Sequence, residues 1–400
     1  MRAICLYLHI HQPFRYRKYT IFEATNEHNY WYDDYCSNQS NERIFRKVAD
    51  KSYRPMLNLL EDALNRYPGF KVSFSITGTW IEQAEMWAPE LILQIRRMVK
   101  TGKVEIVGET YYHSLAFFYD RDEFAQQVKK HERKIFETFG VRPQTFRNTE
   151  FAYNNELAEW AESAGYKAVL AEGWDKVLQW RSPNFVYRPE GCEKIRLLLK
   201  NYRLSDDIAF RFSDKNWSEW PLSAEKYLSW LDMDCLRGNL INLFMDFETF
   251  GEHQWAETGI FNFMKHIIPM WLAQYENKFV TTSEAAELME PAGTISMPEV
   301  VTWADTERDL SAWRGNEMQE SALSELYKMK KRVLSTGDAD LIEDWRRMTT
   351  SDQAYYMCTK YWNDGDVHAY FSAYESPYDA FMYFMNMLRD IEFRVESFEK

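Results

Sequence analysis

The stretch that most constrains the fold is an almost entirely apolar run that stops at acidic residues. The run LINLFM covers residues 240–245, and Asp246, Glu248, Glu252 and His253 follow it. Apolar runs of this length are typical of strands buried on both faces of a parallel sheet. In parallel barrels and open α/β sheets, catalytic side chains lie at the carboxyl ends of the strands. The run therefore predicts a strand that opens onto a site. A strand end followed by a solvated acidic loop is the alternative.

The two carboxyl groups nearest this strand are expected to influence each other. Strand alternation would place Asp246 and Glu248 on the same side of the chain. Two carboxylates on one face repel each other, so one of them should have a raised pKa. A carboxyl group of this kind could act as an acid near neutral pH.

Strand-like and helix-like segments alternate along most of the chain. Strands are predicted over 2–10, 71–77, 104–107, 145–149, 167–170 and 240–245, with a shorter pair within 184–203. Helices are predicted over 41–67 (divided near Pro55), 80–100, 121–139, 154–164, 205–212, 224–233 and 257–274, and a long loop over 14–41. This order indicates a parallel sheet, most simply a closed or nearly closed barrel.

Beyond about residue 300 the strand signal disappears. Helices are predicted there over 317–334, 338–363 and 378–391. The chain is therefore predicted to be an α/β protein, with a barrel in residues 1–295 and a helical domain in residues 296–400.

Several other predicted strands also end in polar side chains. His9 and His11 follow the first strand, and Glu109, His113 and Glu150 follow later ones. A metal pair is one interpretation of the two histidines, since two histidines and a carboxylate can hold zinc. Hydrogen bonding to sugar hydroxyls and a buried structural pair are the other interpretations.

The amino-acid composition limits the classes of molecule that the protein is expected to bind. The chain has 48 Lys and Arg against 61 Asp and Glu, a net charge of −13. Such a chain repels phosphate, which argues against nucleic acid or an anionic membrane as a main partner. No apolar stretch is long enough to span a membrane. The abundant aromatic residues (15 Trp, 25 Tyr and 26 Phe) suit a neutral, hydroxyl-rich ligand such as a sugar.

Cysteine usage indicates a reducing compartment. The five cysteines are scattered and form no CxxC pair, which favours reduced thiols over a disulfide framework or a zinc knuckle. No signal peptide is visible in the sequence. The expected location is the cytoplasm.

Two of the carboxylates suit the hydrolysis of a glycosidic bond. That reaction needs two carboxyl groups on opposite sides of the scissile bond, one protonated and one ionised. Glu150 and Asp246 follow different predicted strands, which is how a barrel places two groups across one substrate. A retaining pair lies about 5–5.5 Å apart and an inverting pair about 6.5–9.5 Å apart.

Five motifs together resemble a known family. In order along the chain they are His11-Gln12-Pro13, Gly108-Glu109 with His113, RNTEF at 147–151, DFETFG at 246–251 and TSD at 350–352. They resemble the five signature regions of glycoside hydrolase family 57, from residue 9 to about residue 362. HQP alone is weak, but RNTEF followed some hundred residues later by MDFETFGEH is specific.

The resemblance implies an incomplete (β/α)7 barrel with a helical domain closing over the site, and a retaining mechanism on α-glucans. It implies that Glu150 is the nucleophile and Asp246 the acid/base. The residues that it implies at the substrate subsite are His9, His11, Glu109, Glu248 and Asp352. His113 belongs to the second motif, and His253 and Trp303 are added on proximity and chemistry. No metal and no cofactor are expected.

The chain most resembles the α-amylase-type members, because its fifth region reads SDQAYYMCTKYW and it ends shortly afterwards. This implies hydrolysis of α-1,4-glucosidic bonds in starch, glycogen or maltodextrins. From like-charge repulsion, Glu248 is expected to help keep Asp246 protonated before the first step. The alternatives are a 4-α-glucanotransferase or branching enzyme, a catalytically silent glucan-binding protein, and a metal-dependent deacetylase using His9 and His11. Oligomeric state and chain-length preference stay open.

Overall fold

The computed structural model describes residues 2–31, 40–360 and 372–399. Ten strands occur in this part of the chain. Their bounds are β1 Arg2–Ile10, β2 Val72–Ile76, β3 Val104–Val107, β4 Thr145–Arg147, β5 Ala168–Glu172, β6 Val186–Pro189, β7 Arg196–Lys200, β8 Leu240–Asp246, β9 Asn277–Phe279 and β10 Thr294–Ile295.

Seven of these strands form an incomplete barrel. Parallel pairing gives the orders β3-β2-β1-β8 and β4-β5-β7. A parallel bridge between Gly108 and Phe146 joins β3 to β4. Between β7 and β8 the link is made by Asn242, whose side chain donates to Leu199 O at 2.8 Å and whose carbonyl accepts from Asn201 N at 2.9 Å. The ring therefore closes without a ladder at that seam, and the predicted incomplete (β/α)7 barrel is confirmed.

Three short strands lie outside the ring. β6 pairs antiparallel with β7, and β10 pairs with β6. β9 runs parallel to residues 2–4 of β1. The sequence did not predict β9 or β10, because strands of two or three residues carry no readable alternation.

Alternation along β1 and β8 explains their apolar sequences. Ile4, Leu6 and Leu8 pack in the core between the sheet and the surrounding helices, whereas Ala3, Cys5 and Tyr7 pack inside the barrel. Each strand is thus apolar on both faces. The inward row of β1 continues to His9, and the inward row of β8 continues from Leu240 and Phe244 to Asp246. His9 and Asp246 are direct register partners.

Helices flank the sheet and dominate after residue 310. Their bounds are α1 Asn41–Val48, α2 Arg54–Arg66, α3 Gly78–Trp87, α4 Pro89–Lys100, α5 Arg121–Phe139, α6 Asn155–Ser163, α7 Asp175–Leu178, α8 Tyr202–Asp206, α9 Ala224–Asp234, α10 Ile260–Leu272, α11 Thr282–Leu288, α12 Ser311–Arg314, α13 Glu317–Lys328, α14 Lys330–Thr336, α15 Ala339–Met348, α16 Ser351–Tyr355 and α17 Pro377–Glu399. Two π-helical turns, Ala49–Tyr53 and Asp207–Arg211, interrupt the pattern.

Several predicted helices differ from the observed ones. The helix predicted over 80–100 is two helices, divided at Ala88 because Pro89 lacks the backbone N–H needed to continue a helix. The helix predicted over 205–212 is the end of α8 followed by the second π-helical turn. Parts of the predicted loop over 14–41 and of the helix over 338–363 lie outside the described residues. The domain division at residue 295 stays a prediction.

The described helices include none that combines the length and the apolar character required to cross a membrane.

Candidate active site

A cavity of about 420 Å³ opens at the carboxyl ends of the barrel strands. Nine of the ten residues predicted for the site line it: His9, His11, His113, Glu150, Asp246, Glu248, His253, Trp303 and Asp352. The tenth, Glu109, was expected at the substrate subsite but is fully buried and does not line the cavity. It follows the short strand β3 and lies beneath the floor of the site.

Glu150 is held by three side chains. His113 Nε2 lies 3.0 Å from Glu150 Oε1, and Ser351 Oγ donates to the same oxygen at 3.3 Å. Trp303 Nε1 donates to Oε2 at 2.8 Å. Burial acts to raise the pKa of Glu150, but the hydrogen bond and charge of His113, with Arg147, lower the pKa overall. Glu150 is therefore an oriented carboxylate that is ionised at neutral pH.

The backbone at Glu150 is also unusual. Its φ is +57°, and that of the next residue, Phe151, is +53°. Non-glycine residues adopt this region at a cost of about 1–3 kcal/mol. The strained turn after β4 brings the Glu150 carboxyl group into the cavity, while Phe151 packs inside the barrel. Such strain is typical of functional sites.

Glu109 connects the two sides of the site from below. Its Oε2 lies 3.3 Å from His9 Nε2, 3.5 Å from His113 Nδ1 and 3.7 Å from Arg147 Nη1. On its other side, His9 Nδ1 lies 3.3 Å from Asp246 Oδ1. One buried carboxylate thus orients both the histidine that contacts Glu150 and the histidine that contacts Asp246. Burial acts to raise the pKa of Glu109, but the charge of His9 and hydrogen bonds from both histidines hold it well below its usual range.

The repulsion expected between Asp246 and Glu248 is present, but it raises the pKa of Glu248 and not that of Asp246. Burial and the charge of Asp246 raise the pKa of Glu248 to about 8, and Tyr53 donates a hydrogen bond to its carboxyl group. Burial also acts to raise the pKa of Asp246, but its hydrogen bond with His9 outweighs this and lowers the pKa. The hypothesis that Glu248 keeps Asp246 protonated in the resting site is therefore wrong. The sequence could not show the contact with His9 that reverses the order.

The helical part of the chain contributes directly to the site. His11 Nδ1 lies 3.0 Å from Thr77 Oγ1, and His11 Nε2 lies 3.0 Å from Asp352 Oδ2, in α16. The imidazole rings of His11 and His113 lie 4.1 Å apart, and Ser351 N donates to His113 O at 2.8 Å. Burial and the charge of His113 lower the pKa of His11 to about 4. His11 is thus neutral at neutral pH. For His113, burial acts to lower the pKa, but the hydrogen bonds to Glu109 and Glu150 outweigh it and raise the pKa to about 9.

His253 also lines the cavity, as expected from its position after β8. Burial lowers its pKa, so its imidazole is neutral at neutral pH.

Sequence reasoning missed a charged wall beside Trp303. It consists of Glu172, Lys200, Asp206 and Arg308. Lys200 Nζ lies 2.9 Å from Asp206 Oδ1 and 5.3 Å from the centre of the Trp303 ring. Arg308 Nη1 lies 3.2 Å from Glu172 Oε2 and donates to Trp303 O at 3.4 Å. β5 and β7 are apolar runs ending in Glu172 and Lys200, the same signal that singled out β8.

Comparison with known proteins identifies the family. The model of glycosyl hydrolase family 57 matches residues 5–298. The chain belongs to glycosyl hydrolase family 57.

A curated family relative extends the similarity over nearly the whole chain. A putative α-amylase of Methanocaldococcus jannaschii is 40% identical over 401 residues, covering 97% of this chain and 84% of the relative. The α-amylase of Pyrococcus horikoshii is 28% identical over 33% of this chain, and this match spans 20% of that longer protein.

Solved structures support the family 57 fold. A branching enzyme of Pyrococcus horikoshii superposes with a TM-score of 0.69 at 15% identity, covering 92% of this chain and 87% of that chain. The α-amylase AmyC of Thermotoga maritima superposes with a TM-score of 0.63 at 14% identity, covering 100% of this chain and 96% of that chain. The 4-α-glucanotransferase of Thermococcus litoralis gives 0.64 at 16% identity, but this chain spans only 56% of it.

Among the described residues, two groups in this family 57 site have the donor atoms for a metal ion. They are His9 with Glu109 and His113, and His11 with His113 and Asp352. In the first group, Arg147 Nη1 already lies within 3.7 Å of the Glu109 carboxylate and 3.5 Å of both histidines. Both groups need His113, which also contacts Glu150 at 3.0 Å. The Arg147 guanidinium disfavours a metal ion in the first group, and the expectation of no metal stays a prediction.

Proposed function

We propose that this family 57 glycoside hydrolase is a retaining enzyme that cleaves α-1,4-glucosidic bonds in starch, glycogen or maltodextrins, and that it acts in the cytoplasm without a cofactor. One observation carries the proposal: Glu150, which follows β4, and Asp246, at the end of β8, line one cavity of about 420 Å³ and are each held by a histidine. The names of related proteins, among them a putative α-amylase, a 4-α-glucanotransferase and a branching enzyme, suggest an α-glucan substrate.

In the first step, Glu150 attacks the anomeric carbon and the leaving glucosyl oxygen takes a proton from Asp246. In the resting site Glu248 holds a proton, because burial and the charge of Asp246 raise its pKa to about 8, whereas the pKa of Asp246 is lowered. Transfer of this proton from Glu248 to Asp246 is the proposed step that prepares the acid.

In the second step, Asp246 takes a proton from water as the water oxygen bonds to the anomeric carbon. The bond from carbon to Glu150 breaks and its electron pair returns to the carboxylate. His113, Ser351 and Trp303 stabilise that returning charge, since all three contact the Glu150 oxygens. Two inversions at one carbon give net retention.

The test is the product profile on soluble starch and on maltotriose, with proton NMR of the first-formed anomer. We expect new reducing ends that appear first as the α-anomer, and mainly shorter oligosaccharides. A β-anomer would contradict retention, and mainly longer oligosaccharides would indicate a glucanotransferase. Binding of starch without new reducing ends would indicate a silent glucan-binding protein. Loss of activity after chelation, with recovery on adding zinc, would support the metal-dependent alternative.

The proton on Glu248 predicts the alkaline limit of activity. As pH rises through about 8, Glu248 ionises and can no longer supply its proton to Asp246, so kcat/KM should fall. In the Glu248→Gln variant, Asp246 loses this proton donor and keeps its lowered pKa. The alkaline limb should therefore move towards acid pH, as measured by kcat/KM against pH on maltotriose.

Glu252→Gln is the matched control for this variant. Glu252 lies in the same turn but pairs with Lys47 at 2.6 Å and does not line the cavity. Its pH profile should match that of the wild type. A Glu248→Gln enzyme with lower kcat but an unmoved alkaline limb would show that Glu248 has no part in proton supply.

A further inference from the structure

One of the aromatic rings that line the cavity, that of Phe210, is largely exposed to solvent. Phe210 lines the cavity, yet its side chain is 64% exposed. Its apolar neighbours Ile208, Ala209 and Phe212 are all buried in the core. Single exposed apolar residues are common on protein surfaces, but this one borders the cavity that holds both proposed catalytic carboxylates.

The exposed position is imposed by the backbone. Phe210 lies in the π-helical turn Asp207–Arg211, whose extra residue rotates the chain relative to an α-helix. Gln254 Nε2 donates to Ala209 O at 2.8 Å, and Arg211 Nη2 donates to Arg203 O at 3.2 Å. These bonds fix the turn on both sides of Phe210. The ring is therefore presented on a held segment, and π-turns of this kind are frequent at functional sites.

The hydrogen bond from Gln254 to Ala209 indicates on which side of the scissile glycosidic bond Phe210 lies. Gln254 belongs to the turn that follows Asp246, and Gln254 N donates to Thr249 O at 3.0 Å within that turn. The general acid must lie beside the leaving oxygen. Trp303, by contrast, contacts Glu150. The turn that carries Phe210 is thus tied to the segment of the acid, on the side where the leaving sugar departs and an acceptor enters.

We propose that Phe210 is the acceptor-side platform of the site, on which a glucose ring of the α-glucan stacks. This rests on the proposed function and names the subsite that selects between water and sugar. The C–H face of a glucose ring is apolar and matches an aromatic face, while its hydroxyls stay free for the polar lining. The exposed ring is continuous with the cavity, so the units next to the cleaved bond are the occupant.

The platform would act in both half-reactions. In the first, it holds the glucosyl unit whose oxygen leaves with the proton of Asp246. In the second, it holds a sugar whose hydroxyl oxygen bonds to the anomeric carbon, while the hydroxyl proton passes to Asp246 and the bond to Glu150 breaks with its electron pair returning to the carboxylate. Water follows the same course without the platform. Phe210 should therefore favour transfer relative to hydrolysis.

The experiment compares Phe210→Ala, Phe210→Trp and the wild type on soluble starch and on α-maltosyl fluoride. The fluoride has no sugar on the acceptor side, so it reports the catalytic groups alone. For Phe210→Ala we expect kcat/KM on starch to fall about tenfold, as expected for losing the burial of one aromatic ring. Activity on the fluoride should be unchanged. At high maltotriose the ratio of longer products to glucose should fall in Phe210→Ala and recover in Phe210→Trp.

Phe136→Ala is the matched control, because Phe136 is also exposed but lies on α5 away from the cavity. It should behave as the wild type on both substrates. A Phe210→Ala enzyme equal to the wild type on starch would overturn the platform, as would an equal loss on starch and fluoride, which would indicate a structural defect. If the wild type acts on neither substrate, the proposed function fails together with the platform. If the wild type acts on both substrates, the proposed function stands, and the activity of Phe210→Ala relative to the wild type decides whether Phe210 is the platform.

Discussion

Replacing Glu150 by glutamine is expected to reduce kcat on soluble starch by about 10⁴-fold or more, as losses of a catalytic nucleophile typically do. The amide has nearly the same shape but cannot attack the anomeric carbon. It also removes the charge that His113 Nε2 contacts at 3.0 Å. Reducing-end release on starch and single-turnover product formation measure the effect.

The fold of Glu150→Gln should stay intact, because the amide can still accept the hydrogen bond of Trp303 Nε1. Near-UV circular dichroism and the melting temperature check this. Glu156→Gln is the matched control: Glu156 is an exposed carboxylate on α6 that pairs with Arg121. It should retain full activity. Near-normal turnover by Glu150→Gln would reject the role of Glu150 as the nucleophile.

Replacing Asp246 by asparagine is expected to lower kcat on starch by about 10²–10⁴-fold, the range that general acid–base catalysis contributes. The asparagine variant cannot protonate the leaving glucosyl oxygen. Fluoride leaves without a proton, so formation of the glycosyl-enzyme from α-maltosyl fluoride should be nearly normal. A burst of fluoride followed by slow turnover, measured with a fluoride electrode, is the expected signature.

Adding azide should restore turnover of Asp246→Asn on α-maltosyl fluoride, because azide attacks the glycosyl-enzyme without base assistance. Asp214→Asn, on an exposed loop, is the control and should need no azide. Equal losses on starch and on the fluoride, with no rescue, would show that Asp246 does not act as the acid/base.

Much of the barrel could be predicted because its strands carry their own signal. β1 and β8 are apolar on both faces and were predicted almost to their observed ends, since burial between the helices and the barrel interior demands it. The inward-facing positions of β1 and β8 continue to His9 and Asp246. The polar residues at the ends of these strands therefore indicated where the site lies. β9, β10 and the π-helical turns escaped, because short pairings and extra residues in a helix leave no periodic pattern.

The charged wall was missed although its signal was present. Lys200 ends an apolar strand in the same way as Asp246, but no recognised motif surrounds it. Its role becomes visible only when Lys200, Asp206 and Trp303 lie together around the cavity. Residues from distant parts of the chain meet there through folding alone.

The sequence by itself determined the family, the buried strands and the two carboxyl residues proposed for catalysis, because these depend on local pattern and on side-chain chemistry. Only the tertiary structure decided which carboxyl group holds a proton. Asp246 contacts His9 across 237 positions of the chain, while Glu248 is buried against Tyr53. A pKa depends on burial and on neighbouring charges, and folding alone determines both.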